Sequence, residues 1–377
     1  MRILLLNYAR LSAMKGTERF FLTIGNYLTD MGHDVFYVGA TNCSYRGLEK
    51  PAQVKFRVIE IPFLKIGYEY ILHVPIREIR KIRPDVIYIH TFALYPLLPM
   101  TSYRFILGTL TFGPEDFLSY GGKLSSKFKA YSFFIRSAAK FLYHRERTII
   151  HVLNSTQEEW IRSMGFDGFE IREIPLPIDC GTCKAEPELW ERSEKFQVLY
   201  LGGVDKSKGI LTFLDIISAV NELGFAKQIE FIIAGTGLYV GLVEMIAKST
   251  ANVLYLGIVS DSEKTILLNT VSVLVSPSKN ENFHLVSAES QICGLPVISS
   301  DLSGPRSIIA DGTTGRLIKN DSVPDFVSAI IEYYDLWKTD RCHYSRIRSK
   351  ISERATRFCS EKVLPDLLRL FTDVGNH

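Results

Sequence analysis

The stretch ENFHLVSAE, residues 281–289, begins and ends with a carboxylate. Between Asn282 and Ser300 there is no Lys or Arg, and Glu289 is the sole acid. A carboxylate on an otherwise apolar helix needs a partner or a polar ligand. The run VLVSPS (273–278) reads as a strand, residues 279–283 as a loop, and a helix begins near His284 or Leu285. The first amides of a helix have no internal partners, and the helix dipole adds about half a positive charge there. That makes an anion site suited to phosphate. Glu281 lies just before this helix start. Glu289 lies about one turn inside, on the face of Leu285 and Ile292. One reading makes Glu289 a rim residue, held by solvent or by a structural arginine such as Arg306. The other gives it two sugar hydroxyls, as ribose serves the acid of a dinucleotide fold. On that reading Glu289 is alone because its partner is not protein.

Other segments could serve the same ligand. LGGVDKSKG (201–209) follows a strand and opens a helix. Gly203 allows close backbone approach, and Lys208 can reach a diphosphate. AGTG (234–237) follows the next strand in the same manner, with Gly235 and Gly237 at the turn. MKGTER (14–19) follows the first strand, and Gly16 there either admits a ligand to the backbone or simply starts a helix. Each Gly-rich turn is weak by itself, because any strand-to-helix turn favours glycine. Cys180-Gly-Thr-Cys183 has the spacing of a redox or zinc half-site, but no second pair or close Cys/His cluster completes it. It reads as two incidental thiols in a loop.

Two successive series of elements position these groups. RILLLNY (2–8), DVFYVGA (34–40), FRVIEIP (56–62), DVIYIH (85–90), FILGTLT (105–111) and TIIHVLN (148–154) are strand candidates, with helices near 17–31, 74–82 and 123–143. Continuous apolar runs of this length fit strands buried on both faces of a parallel sheet. A polar linker, CGTCKAEPELWERSEK, follows Pro175 and Pro177. Alternation then restarts with FQVLYLGG (196–203), IEFIIAG (229–235), VLYLG (253–257), VLVSPS (273–278) and PVISSD (296–301). The pattern predicts two doubly wound α/β domains, 1–183 and 184–358, with the ligand in a cleft between them. Residues 359–377 form an amphipathic helix expected to cross back to the first domain.

Composition excludes several classes. Of 377 residues, 46% are hydrophobic and 23% charged, which is too apolar for disorder. A net charge of +3 does not suggest a nucleic-acid binder. The charge is uneven: residues 1–183 hold 23 Lys and Arg against 17 Asp and Glu, and the remainder holds 21 against 24. A basic first half suits an anionic surface such as phospholipid. Six cysteines in so long a chain are no disulfide scaffold and fit a reducing, cytoplasmic compartment. The N-terminal apolar run is too short for a signal peptide. The longest uncharged stretch, Val86–Tyr103, holds two prolines and His90 and reads as a buried strand and loop rather than a membrane span.

Taken together, these motifs resemble glycosyltransferase family 4, the retaining glycosyltransferases of the GT-B fold. Glu281 and Glu289 match the family's E-x7-E motif. PSKNENFHLVSAESQICGLPVISSDLSGPRSIIADGTTGRLI carries its run of features, and Lys208-Gly209 matches its Lys-Gly after the first donor-domain strand. KGTERF and MGHDV resemble its start. The resemblance implies two Rossmann-like domains facing each other across a cleft. It implies a nucleotide-sugar donor, UDP- or GDP-linked, and a glycan or lipid-linked acceptor. It implies no cofactor and no metal, and no Asp-x-Asp occurs in the chain. Glu289 is then the ribose ligand and Glu281 the contact to the transferred sugar. The diphosphate falls to Lys208 and the backbone at Phe283, His284, Leu285 and Val286. The base falls against Gly257, Ile258 and Val259.

Three positions depart from the family pattern. Gly203 stands where an Arg is usual, leaving Lys206 as its only local substitute. His284 replaces a glycine, so a side chain is expected to intrude on the phosphate site. Thr111 aligns where many members carry a catalytic His, and His90, ending the strand before, is the nearest candidate for a polar role beside the acceptor. These departures support an alternative, a catalytically impaired protein that binds nucleotide sugars or acts as a scaffold. A hydrolase using the two carboxylates would leave Lys208 and the helix start without purpose. Finally, residues 123–147 carry Lys123, Lys127, Lys129, Arg136, Lys140, Arg145 and Arg147 against Glu146 alone, with aromatics near helical spacing. That suits peripheral attachment to an anionic leaflet, or a core helix with a basic solvated face.

Overall fold

The computed structural model describes residues 1–7, 11, 16–40, 54–61, 65–66, 70–71, 76–89, 103–110, 145–190 and 194–376. His90, Thr111 and most of the basic stretch 123–147 lie outside them. Two compact units emerge, Met1–Pro177 with Glu361–His377, and Ile178–Ser360.

The first unit contains β1 (Arg2–Leu6), β2 (Asp34–Ala40), β3 (Arg57–Ile61), the short ladder of β4 (Lys65–Ile66) and β5 (Tyr70–Ile71), β6 (Val86–Ile89), β7 (Arg104–Gly108), β8 (Thr148–Val152) and β9 (Glu170–Glu173). Its main sheet has the order β3-β2-β1-β6-β7-β8-β9, parallel throughout. The apolar runs expected to be buried are so: every residue of β6 and β8 is buried. A hydrophobic cluster including Leu4, Val38, Ile87, Leu107, Ile150 and Phe166 fills one layer. The last helix, Ser360–Asn376, belongs to this unit from Glu361 onward. Phe371 stacks on Tyr88 with ring centroids 5.9 Å apart, and Asp373 pairs with Arg172.

The second unit contains β10 (Phe196–Leu201), β11 (Ile229–Ala234), β12 (Val253–Gly257), β13 (Val273–Ser276), β14 (Val297–Ser300) and β15 (Gly315–Ile318). The order is β12-β11-β10-β13-β14-β15, again parallel. Both orders reverse direction once, at β1/β6 and at β10/β13. A crevice opens at such a reversal, because the two loops leaving adjacent strands turn to opposite faces.

Two strands of the two main sheets are absent from the apolar-run reading, β9 and β15. Each is a four-residue edge strand with partly exposed residues. An edge strand buries less, so it lacks the continuous apolar run that betrays a central one. The division between units also falls at Pro177/Ile178 rather than after residue 183. Ile178 bridges to Cys359: its N–H donates to the Phe358 carbonyl at 2.8 Å and its carbonyl accepts from Ser360 N–H at 2.8 Å. The chain thus joins the second unit at once. Cys180 is disulfide-bonded to Cys359, which corrects the expectation of two incidental thiols. The partners are 179 residues apart in sequence, and their meeting is decided by the fold.

Candidate active site

The site is assembled at the carboxyl edge of the second sheet, where β10 and β13 adjoin. Beyond β10 the chain runs through Gly202 and Gly203 to a 3-10 turn, Lys206–Lys208. Gly209 closes that turn at φ 74°, and a Cβ there would lie 1.8 Å from the Pro277 carbonyl oxygen. Only glycine allows this approach. The Tyr200 hydroxyl donates to the carbonyls of Gly203 (2.6 Å) and Lys208 (3.1 Å) and fixes the turn from below. The next Gly-rich turn is laced to it. A Cβ on Gly235 (φ 137°) would lie 1.8 Å from the Gly202 carbonyl oxygen. Past Gly237, the Leu238 N–H donates to Asp205 at 2.9 Å.

The loop after β13 meets this turn, and Lys279 N–H donates to the Ser207 carbonyl at 2.9 Å. This brings Lys208 Nζ to 2.8 Å from Glu281 Oε1. The Glu281 side chain is 10% exposed and that of Lys208 41%, so the carboxylate is sunk and the cation can still reach outward. Burial raises the Glu281 carboxyl, but the Lys208 charge and hydrogen bonds from Lys208 and Ser278 lower it, and the lowering prevails. The acid is held ionised. The Gly304 N–H donates to the Glu281 carbonyl at 3.0 Å, pinning the loop to the helix Ser303–Ile308.

The helix Leu285–Ile292 starts directly after His284. The expected intrusion of His284 does not occur. Its imidazole is buried, with Nε2 3.2 Å from Ser276 Oγ and Nδ1 hydrogen-bonded to Ser287. Burial depresses its pKa, outweighing the attraction of Glu281, so it is a neutral residue between two hydroxyls. Serines at 276 and 287 supply that pocket, a signal invisible without the fold. Phe283 is likewise turned inward, its ring edge-on to Phe358 at 5.8 Å, which leaves only its backbone for a ligand.

Glu289 is not alone. Lys264 Nζ lies 2.8 Å from its Oε1, and both side chains are 16% exposed. Lys264 also reaches Asp261 at 3.2 Å. Burial lowers the lysine, yet the charges and hydrogen bonds of Glu289 and Asp261 raise it further, so it stays protonated. Lys264 lies on the helix Asp261–Thr270, opened by a capping box of Ser260 and Glu263. A reading confined to the neighbourhood of Glu289 in the chain cannot find a partner 25 residues away. Arg306, the partner considered from sequence, pairs with Asp301 instead. Gly257 (φ 69°), Ile258 and Val259 lead into the Lys264 helix; the Gly257 carbonyl accepts from Gly235 N–H at 2.7 Å, and Ile258 is 65% exposed. Gly16 opens the helix Gly16–Asp30 of the first unit.

Residues 14–182 match the family model described as Glycosyltransferase Family 4, and residues 195–335 match that described as Glycosyl transferases group 1. The chain belongs to glycosyltransferase family 4. A phosphatidyl-myo-inositol mannosyltransferase of Mycolicibacterium smegmatis is 26% identical over 212 residues, which cover 55% of this chain and 53% of the relative. An uncharacterized 41.2 kDa protein in the cps region of Klebsiella pneumoniae is 33% identical over 127 residues, 34% of each chain. The aligned stretches thus span about half of these relatives or less. Among solved structures, sucrose-phosphate synthase from Thermosynechococcus elongatus superposes with TM-score 0.76 at 15% identity, covering 99% of both chains. Anabaena Alr3699/HepE in complex with UDP-glucose superposes with TM-score 0.74 at 16% identity, covering 99% of this chain and all of that one. The two Rossmann-like sheets are those of the GT-B fold.

Proposed function

We propose that this family 4 protein transfers a sugar from a nucleoside-diphosphate donor to a glycan or lipid-linked acceptor, with retention of configuration and without a metal. The observation that carries the reading is the pair of carboxylate–lysine contacts, Glu281–Lys208 and Glu289–Lys264, at the strand reversal of the second sheet. A UDP- or GDP-linked donor fits it, and the UDP-glucose complex of the Anabaena neighbour supports a UDP arm.

In this reading Lys208 swings from Glu281 to the diphosphate, joined by the amides at the start of the helix Leu285–Ile292. Lys206 stands on the same turn and is exposed, where it offsets the arginine that Gly203 replaces. Glu289 keeps Lys264 on one side and accepts the two ribose hydroxyls with its remaining lone pairs. Gly257, Ile258 and Val259 flank the base. Glu281, released from Lys208, faces the transferred sugar, where it stabilises positive charge developing at the anomeric carbon. The departing diphosphate oxygen takes the proton of the acceptor hydroxyl. The ionised Glu281 and protonated Lys264 favour an enzyme over an impaired binder. Attachment of the basic stretch 123–147 to an anionic leaflet would bring a lipid-linked acceptor close; among the described residues no helix is long and apolar enough to cross a membrane.

A thermal-shift panel of UDP-, GDP- and ADP-sugars tests the donor, since selective binding raises the melting point. Release of nucleoside diphosphate on adding candidate acceptors then tests transfer. No shift with any donor would overturn the reading.

A further inference from the structure

The residues after the disulfide form a strap that ties together the two helices carrying Lys264 and Glu289. At its start, Cys180 is bonded to Cys359. The Thr182 carbonyl then accepts from the hydroxyl of Thr265, the residue next to Lys264, at 3.2 Å. The Lys184 carbonyl accepts from Asn269 Nδ2 at 2.9 Å, while Asn269 Oδ1 accepts from Glu186 N–H at 2.8 Å and Trp190 Nε1 at 3.3 Å. Asn269 is wholly buried, so these bonds are shielded from water. On the other helix, Cys183 Sγ donates to the Glu289 carbonyl at 3.2 Å and lies 3.3 Å from Cys293 Sγ. One helix is gripped beside Lys264, and the other at Glu289 itself.

We propose that the Cys180–Cys359 disulfide is a redox-sensitive fastener for this strap, through which thiol state sets the geometry of the Lys264–Glu289 pair and so the affinity for nucleotide. Cys180 is partly exposed and Cys359 buried. A thiolate of an external dithiol therefore attacks Cys180 sulfur, and Cys359 leaves as thiolate and takes up a proton. The second thiol of the reductant resolves the mixed disulfide, so the protein gains two thiols and the dithiol becomes a disulfide. Cys183, three residues from Cys180, does not compete. Its hydrogen bond with Cys293 and its burial push its pKa up, which keeps it a neutral thiol. Loss of the cross-link frees the first residues of the strap, and its hold on the two helices weakens. The effect on nucleotide rests on the reading of Glu289 as the ribose ligand. It should therefore reach uridine as well as UDP, unlike any effect on the diphosphate cation.

The test compares the oxidised full-length protein, the same protein in dithiothreitol, and Cys359→Ser. Thiol titration in denaturant should count two more thiols after reduction than before, from the one disulfide among the described residues. Calorimetry should show Kd for UDP and for uridine rising together by about fivefold on reduction, at the lower end of typical site coupling. Cys359→Ser should behave as the reduced protein and no longer respond to dithiothreitol. Hydrogen exchange, which needs no ligand, should quicken in residues 261–270 and 285–292 more than in the central strands β10 and β13. Six thiols in the oxidised preparation overturns the proposal. So does unchanged exchange in those two helices, or an unchanged Kd in a protein that binds UDP. If the oxidised protein binds neither UDP nor uridine, the ribose reading fails and the link from thiol state to nucleotide affinity is overturned with it.

Discussion

A double-mutant cycle on Lys264 and Glu289 separates the structural from the ligand-binding role of that pair. Glu289→Gln removes the charge with little change of shape, and Lys264→Gln leaves the carboxylate without its cation. Breaking a buried ion pair costs about 3–5 kcal/mol, because the remaining charge is uncompensated. Both side chains are 16% exposed, so water screens part of this, and a loss of about 2 kcal/mol for Lys264→Gln is reasonable. At about 2–4 °C per kcal/mol for a unit of this size, its melting point should fall by about 4–8 °C. The double variant should lose less than the sum of the singles, since two amides can bond to each other. Affinity should follow another pattern. Hydrogen bonds to a charged group are worth about 1.5–3 kcal/mol, so Glu289→Gln should raise the UDP Kd by about ten- to a hundredfold. Lys264→Gln should raise it by less, and adding it to Glu289→Gln should cost no further affinity. The measurements are thermal unfolding and calorimetry on the four proteins. If Glu289→Gln folds but binds UDP like the parent, the glutamate is a structural partner of Lys264 and the ribose assignment is wrong.

Four further outcomes are expected. Lys208→Ala should weaken UDP more than uridine, because charge-assisted bonds to phosphate are lost; equal loss for both ligands would move the diphosphate to another cation. Glu281→Gln should lower kcat by tenfold or more while UDP affinity changes by less than about threefold, as for an interaction formed chiefly in the transition state; steady-state rates and calorimetry decide it. The first unit should lose stability in acid through His151, which is fully buried between the Tyr88 hydroxyl and the Ile174 carbonyl, each at 2.7 Å. Burial depresses its pKa to about 4, against about 6.5 unfolded, so the unfolded chain binds a proton that the folded one refuses. The stability it contributes is full above pH 6.5 and is lost as pH falls to about 4, about 3 kcal/mol in all; urea unfolding between pH 4 and 7 should show this slope, and His151→Gln should flatten it. The protein should sediment with anionic but not neutral vesicles at low salt, and equal sedimentation would exclude the basic stretch 123–147 as an anchor.

The sequence alone determined the fold class. Long runs such as RILLL and VIYI cannot be hidden except inside parallel sheets covered on both faces, and their alternation with helical periods leaves few arrangements. It also singled out Glu281, Glu289 and Lys208 as candidates, because a chain spacing of acids around a helix start and a Gly-rich turn are local signals. Tertiary structure decided what those groups touch. Lys208 meets Glu281 only because β10 and β13 adjoin at the sheet's reversal. Glu289 meets Lys264, and Cys180 meets Cys359, across separations of 25 and 179 residues. The inward turn of His284 likewise depends on Ser276 at the end of a neighbouring strand. Hydrogen bonds and ion pairs act over about 3 Å of space, whereas periodicity speaks only of neighbours along the chain. The partners of a polar group are therefore fixed last, once packing has chosen which strands lie side by side.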